Sequence, residues 1–153
     1  MGKPILTVRL RDEAATSDLA GKLAAACRPG DVIALEGELG AGKTTLARSL
    51  IRTLAGAEIE VPSPTFTLVQ TYALEPVTVW HFDLYRLERA GEARELGLEE
   101  AVDGLALIEW PERLGTSLPL TRLEVQLSFC GDGRIARLVD HGDWSGRIDG
   151  DWR

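Results

Sequence analysis

Residues 32–45 read Val32-Ile33-Ala34-Leu35-Glu36-Gly37-Glu38-Leu39-Gly40-Ala41-Gly42-Lys43-Thr44-Thr45, and the rest of the chain is best read outward from them. Val32–Leu35 is a short apolar run of the kind that forms a strand covered on both faces. Gly37–Thr44 matches G-x-x-x-x-G-K-[ST] in full, with a chance expectation of roughly 0.003–0.004 in a chain of this composition. Beyond it, Leu46, Leu50, Ile51 and Leu54 fall on one helical face, and Gly56 is a C-terminal stop. Strand, glycine loop and helix therefore follow in the order a phosphate-binding loop requires. The glycines let successive N–H groups turn toward phosphate oxygens, and the helix start adds its positive dipole end. Glu38, Leu39, Gly40, Ala41, Gly42, Lys43, Thr44 and Thr45 are the candidate nucleotide-binding residues. Lys43 would reach the β- and γ-phosphates, and the Thr44 hydroxyl would ligate Mg²⁺.

Upstream, Ile5–Leu10 reads as a strand, followed by a helix carrying Leu19, Leu23, Ala24 and Cys27 behind a cap at Asp12 or Thr16. Downstream, Val61-Pro62-Ser63-Pro64-Thr65-Phe66 denies helix and reads as an extended loop. Its hydroxyls, Ser63 and Thr65, are candidates for a switch that senses the γ-phosphate; the plain alternative is a proline-stiffened connector. Thr67–Leu74 and Val77–Phe82 form an antiparallel hairpin across Glu75-Pro76. The charged stretch Glu88–Glu100 reads as partly helical, broken at Gly91 and Gly97, and as the most exposed part of the body. Leu105–Ile108 is another buried strand, stopped at Pro111, and Leu118–Cys130 with Arg134–Val139 flanks a hairpin turn at 131–133. Residues 1–140 read as one domain, and 141–153, rich in glycine, as a mobile tail.

A phosphate loop also needs a carboxylate at a neighbouring strand end for the metal. Two positions qualify, Asp83 after Val79–Phe82 and Glu109 after Leu105–Ile108. Glu109 follows the cleaner apolar run and is the first choice, with Asp83 as a metal-side or water-orienting group; either one also reads as a solvated strand end. His81 reads as a packed, hydrogen-bonded residue rather than a catalyst. Trp110 either leans on the nucleotide or fills core. Arg86 and Arg113 are weak candidates for transition-state charge.

Composition narrows the class. At 153 residues, 44% hydrophobic and 27% charged, this is an ordinary globular chain long enough for one core without structural metal. Its net charge of −7 disfavours holding nucleic acid unaided. No run of 18 apolar residues exists, and Cys27 and Cys130, in no CxxC spacing, read as reduced, buried thiols of a cytoplasmic protein.

Together, GELGAGKTT at 37–45, SPTFTLVQTY at 63–72, HFDLYRL at 81–87, Glu95-Leu96-Gly97 and IEWPE at 108–112 resemble the TsaE (YjeE) family over about residues 5–140. That family is the small P-loop ATPase of bacterial tRNA threonylcarbamoyladenosine synthesis. The resemblance implies an α/β, P-loop NTPase-like three-layer fold with a mixed, partly antiparallel sheet. It implies ATP and Mg²⁺ as cofactors and weak hydrolysis without partners. Those partners would be the TsaB–TsaD pair, with tRNA met only through that complex and no membrane. By position Lys43 and Thr44 would hold phosphate and metal, Glu109 would coordinate Mg²⁺, and Asp83 would serve hydrolysis. Ser63 and Thr65 match a switch-like segment and Trp110 an aromatic neighbour of the nucleotide. A small-molecule kinase is the main rival, but it needs an Arg-bearing lid, and 88–100 carries five Glu to two Arg. A GTPase would need N-K-x-D, which is absent from the sequence.

Overall fold

The computed structural model describes residues 2–75, 77–148 and Trp152. Seven strands, β1 (Lys3–Leu10), β2 (Val32–Glu36), β3 (Val69–Ala73), β4 (Thr78–Asp83), β5 (Leu105–Glu109), β6 (Arg122–Cys130) and β7 (Gly133–His141), make one sheet in the order β1-β7-β6-β2-β5-β4-β3. The centre, β6-β2-β5-β4, is parallel; β1, β7 and β3 are joined to it antiparallel. The sheet is thus mixed and partly antiparallel, as the resemblance implies. The hairpin of β3 and β4 forms as expected, although Pro76 of its connection lies outside the described residues.

Strand alternation divides the core in two. Ile33 and Leu35, Leu105 and Leu107, and Leu123 and Val125 face helices α1 (Glu13–Ala26) and α2 (Lys43–Ala55), which pack on each other over that side. Val32, Phe82, Ala106 and Ile108 face a thinner layer that includes the single-turn helix α3 (Glu92–Glu95) and 3-10 turns at Glu100–Asp103 and Pro111–Ser117. Asp12 caps α1, its Oδ1 accepting from Ala15 N–H at 2.9 Å. Gly56 ends α2 in the left-handed conformation, which relieves the last carbonyls through bonds to Arg52 and Thr53.

Three expectations change. The 88–100 stretch is helical only in part, as expected, and mostly exposed, but Ala93 is buried and Leu96 and Leu98 pack partly buried against the second cluster, so it also roofs that face. The cysteines are free but only half-buried; burial, then the Asp31 carboxylate, pushes the Cys27 thiol up to about 11. Strand β6 begins at Arg122, not Leu118, and β7 runs to His141.

The described residues of the expected mobile tail pack on the body; 149–151 and Arg153 lie outside the described set. Trp144 is 1% exposed within the α1/α2 core, with the Arg147 guanidinium 4.4 Å from its ring centroid. Arg147 donates through both terminal nitrogens to Asp31, at 2.6 and 3.1 Å, and to Ala26 O at the end of α1 at 3.3 Å. A lone Trp among glycines carries no local period, so its burial is set by these distant partners. Trp144→Ala is expected to cost about 3–5 kcal/mol of unfolding free energy, the scale for a buried Trp. Urea denaturation checks this; an unchanged midpoint would mean that the segment is not held.

Candidate functional site

The parallel strands β2, β4 and β5 all end at one edge, and open α/β sheets bind ligands at the carboxyl ends of such strands. The loop 37–42 leaves β2 there and enters α2. Gly37 (φ +152°) passes so close to β6 that a Cβ would stand 2.6 Å from Leu127 O, and Gly42 (φ +103°) caps α2 with no side chain. The first amides of α2 therefore have no side-chain acceptor of their own. Lys43 is 4% exposed; its Nζ donates to Gly37 O (2.6 Å) and Glu38 O (3.0 Å) and lies 4.1 Å from the Trp110 ring centroid. Burial lowers its pKa, against the pull of Glu109, Glu112 and Asp83, which raise it.

The two candidate carboxylates stand side by side, because the register pairs Asp83 with Glu109 across β4 and β5. Both are buried, and alternation puts their side chains on the α2 face. The Thr44 hydroxyl donates to Glu109 Oε1 at 2.7 Å. Asp83 Oδ2 accepts from the Thr65 hydroxyl at 3.1 Å, and Oδ1 from the Tyr85 N–H at 3.1 Å. Ser63 Oγ is 2.7 Å from Thr65 Oγ1. The main chain adds a further tie between loop and strand: Asp83 N–H donates to Leu68 O, and Leu68 N–H to Pro64 O. Leu68 pays for this turn with a φ of +67°, which a non-glycine residue adopts only under strain.

One cleft gathers most of the expected residues: Leu39, Gly40, Gly42, Lys43, Thr44, Thr45, Thr65, Asp83, Glu109 and Trp110. Glu38 contributes its carbonyl, Ala41 is the buried residue of the loop, and Ser63 reaches the cleft through Thr65. Trp110 joins it because its backbone is left-handed (φ +59°) just before Pro111; its ring meets Tyr85 with centroids 4.9 Å apart. Arg86 and Arg113 line neither this cleft nor the next, and stack instead on Phe66 and Tyr85.

Sequence reasoning missed two features. A second cleft adjoins the first across Gly40, Gly42 and Thr45, lined by Leu10, Arg11, Asp12, Thr16, Asp132 and Arg134, with Arg134 donating to Gly40 O at 3.1 Å. It exists because β1 and β7 pair Leu10 with Arg134, a long-range contact that no local motif announces. The other is His81, whose Nε2 lies 2.6 Å from Glu109 Oε2. Its available signal was the i, i+2 spacing to Asp83, which places both on one strand face.

The family model for the threonylcarbamoyl adenosine biosynthesis protein TsaE matches residues 10–136. This chain belongs to the TsaE family. A TsaE of Rickettsia felis, described as a tRNA threonylcarbamoyladenosine biosynthesis protein, is 40% identical over 142 residues, covering 92% of this chain and 83% of the relative. The TsaE of Bacillus subtilis is 40% identical over 119 residues, 76% of this chain and 73% of its own. Among solved structures, the crystal structure of Bacillus subtilis YdiB matches with a TM-score of 0.79 at 32% identity, over 95% of this chain and 91% of that one. The TsaE motifs quoted from the sequence, 37–45, 63–72, 81–87 and 108–112, supply every residue of the first cleft.

Proposed function

We propose that this TsaE chain is the ATP-binding, Mg²⁺-dependent ATP-hydrolysing subunit that sustains threonylcarbamoyladenosine formation in tRNA, working with TsaB and TsaD. The observation that carries the reading is the Thr44 hydroxyl 2.7 Å from Glu109 Oε1 at the mouth of the glycine loop. A hydroxyl and one carboxylate are hard oxygen donors, and they suit a cation that completes its shell from phosphate and water, as Mg²⁺ does. Thr44 and Glu109 would hold it, and when bound it neutralises charge on the β- and γ-phosphates.

The remaining steps belong to the chain. The loop amides and the start of α2 bind phosphate oxygens, and Lys43 exchanges the Gly37 and Glu38 carbonyls for the β- and γ-phosphates. The second cleft adjoins the loop across Gly40, Gly42 and Thr45, and it would take the nucleoside. Asp83 orients the attacking water, and its bond to Thr65 makes the 63–68 loop respond to what occupies the γ-phosphate position. Trp110 lies against the nucleotide and covers Lys43. The threonylcarbamoyl transfer itself is left to TsaD, and tRNA is reached only through the complex, consistent with a net charge of −7. No helix among the described residues is long and apolar enough to cross a membrane, and we assign the protein to the cytoplasm. A small-molecule kinase is disfavoured because the one candidate lid, 88–100, carries five Glu to two Arg, the wrong charge for gripping phosphate.

The test is phosphate release from ATP by the chain alone and with TsaB and TsaD added. Weak turnover that rises with the pair is expected. Tight ATP binding without stimulation would overturn the partner-activated ATPase.

A further inference from the structure

The two oxygens of Glu109 have different partners, and only one of them is the metal-side hydroxyl. Oε1 accepts from Thr44, while Oε2 lies 2.6 Å from His81 Nε2. His81 is 0% exposed and Glu109 is 2% exposed. The pair forms because β4 and β5 run parallel with His81 opposite Leu107 and Asp83 opposite Glu109, so His81 reaches its partner diagonally. A buried carboxylate needs its lone pairs taken, and its terminal torsion is soft, so the direction of Oε1 depends on what holds Oε2.

The buried His81 Nδ1 has no partner among the described residues. A ring protonated on Nε2 donates to Glu109 and leaves only a lone pair at Nδ1. The opposite tautomer would bury an unpaired N–H and set two acceptors 2.6 Å apart, which costs far more.

We propose that His81 is a positioning residue that aims Glu109: its Nε2–H anchors Oε2 so that Oε1 stays beside the Thr44 hydroxyl, where a divalent cation binds with nucleotide. The inference rests on the proposed function and extends it to a residue that touches neither phosphate nor metal. Groups that orient a metal ligand in this way set affinity for the metal more than affinity for the rest of the ligand.

The test compares wild type, His81→Phe and His81→Gln in the full chain. Mn²⁺ binding to the ATP complex is read by electron paramagnetic resonance, and ATP affinity in EDTA by calorimetry. His81→Phe is expected to keep metal-free ATP affinity and lose about 10–100-fold in Mn²⁺ affinity. His81→Gln, whose amide N–H can replace Nε2–H, is expected to recover most of that loss. Wild-type Mn²⁺ affinity in His81→Phe, or equal loss in both variants, overturns the proposal. If His81→Phe fails to fold, ¹⁵N shifts of the wild-type imidazoles decide, with His141→Gln assigning the two rings. A proton on Nε2 of His81 supports the proposal, and a ring without one overturns it. Wild type that binds no ATP, or gains nothing from metal, overturns the proposed function itself; an unaffected His81→Phe beside a responsive wild type overturns only the role of His81.

Discussion

Lys43→Ala is expected to weaken ATP binding by about 10²–10⁴-fold while leaving the fold intact. In the structure this ammonium is almost wholly buried, held by two loop carbonyls and the face of Trp110, with no acidic partner among the described residues in direct contact. In the proposed ATP complex those carbonyls would be exchanged for phosphate oxygens. Hydrogen bonds to charged groups contribute roughly 1.5–3 kcal/mol each, and losing two of them gives the expected factor. Alanine also leaves the Gly37 and Glu38 carbonyls without their donor, so the loop loses part of its own support. Titration calorimetry with ATP, beside circular dichroism to confirm folding, checks the prediction. Affinity within a few-fold of wild type would mean that phosphate is not bound at this loop.

The second large effect separates binding from hydrolysis. Glu109→Ala and Asp83→Ala should each retain measurable ATP binding, because the glycine loop and Lys43 remain. Partner-stimulated phosphate release should fall by about 10²-fold or more in both, the scale on which charge stabilisation and proton-transfer groups act in such sites. The two variants differ in what they disturb. Removing Glu109 strips Thr44 and His81 of their shared acceptor, so its metal dependence should change. Removing Asp83 releases Thr65 and the Tyr85 N–H, so the 63–68 loop should loosen. Unchanged stimulated turnover in both variants would contradict the assignment of the site.

Much of this site is legible from sequence because its parts are local. The glycine spacing of 37–44 dictates a strand-to-helix loop, the apolar runs before Asp83 and Glu109 dictate strand ends, and strand alternation sets which face each carboxylate occupies. What sequence did not show depends on contacts between distant segments. Arg134 reaches the phosphate loop only because β7 pairs with β1 on one side and β6 on the other. His81 looked like a core residue, and it is one; its contact with Glu109 is visible only once the register of β4 against β5 is known. Trp144 was hidden for the opposite reason, since glycine and charge around it suggested a loose end while its ring fills the core beside α1. Trp110 turns toward Lys43 through a left-handed backbone that propensity disfavours, a local conflict of the kind that functional sites retain.

The central claim is that ATP turnover at this site sustains repeated rounds of threonylcarbamoyladenosine formation. The most direct measurement follows modified adenosine in tRNA over time, with TsaB, TsaD and the threonylcarbamoyl donor supplied and either wild type or Glu109→Ala added. The account predicts continuing rounds with wild type and a stall after the first round with Glu109→Ala. Equal progress with the two proteins would contradict it.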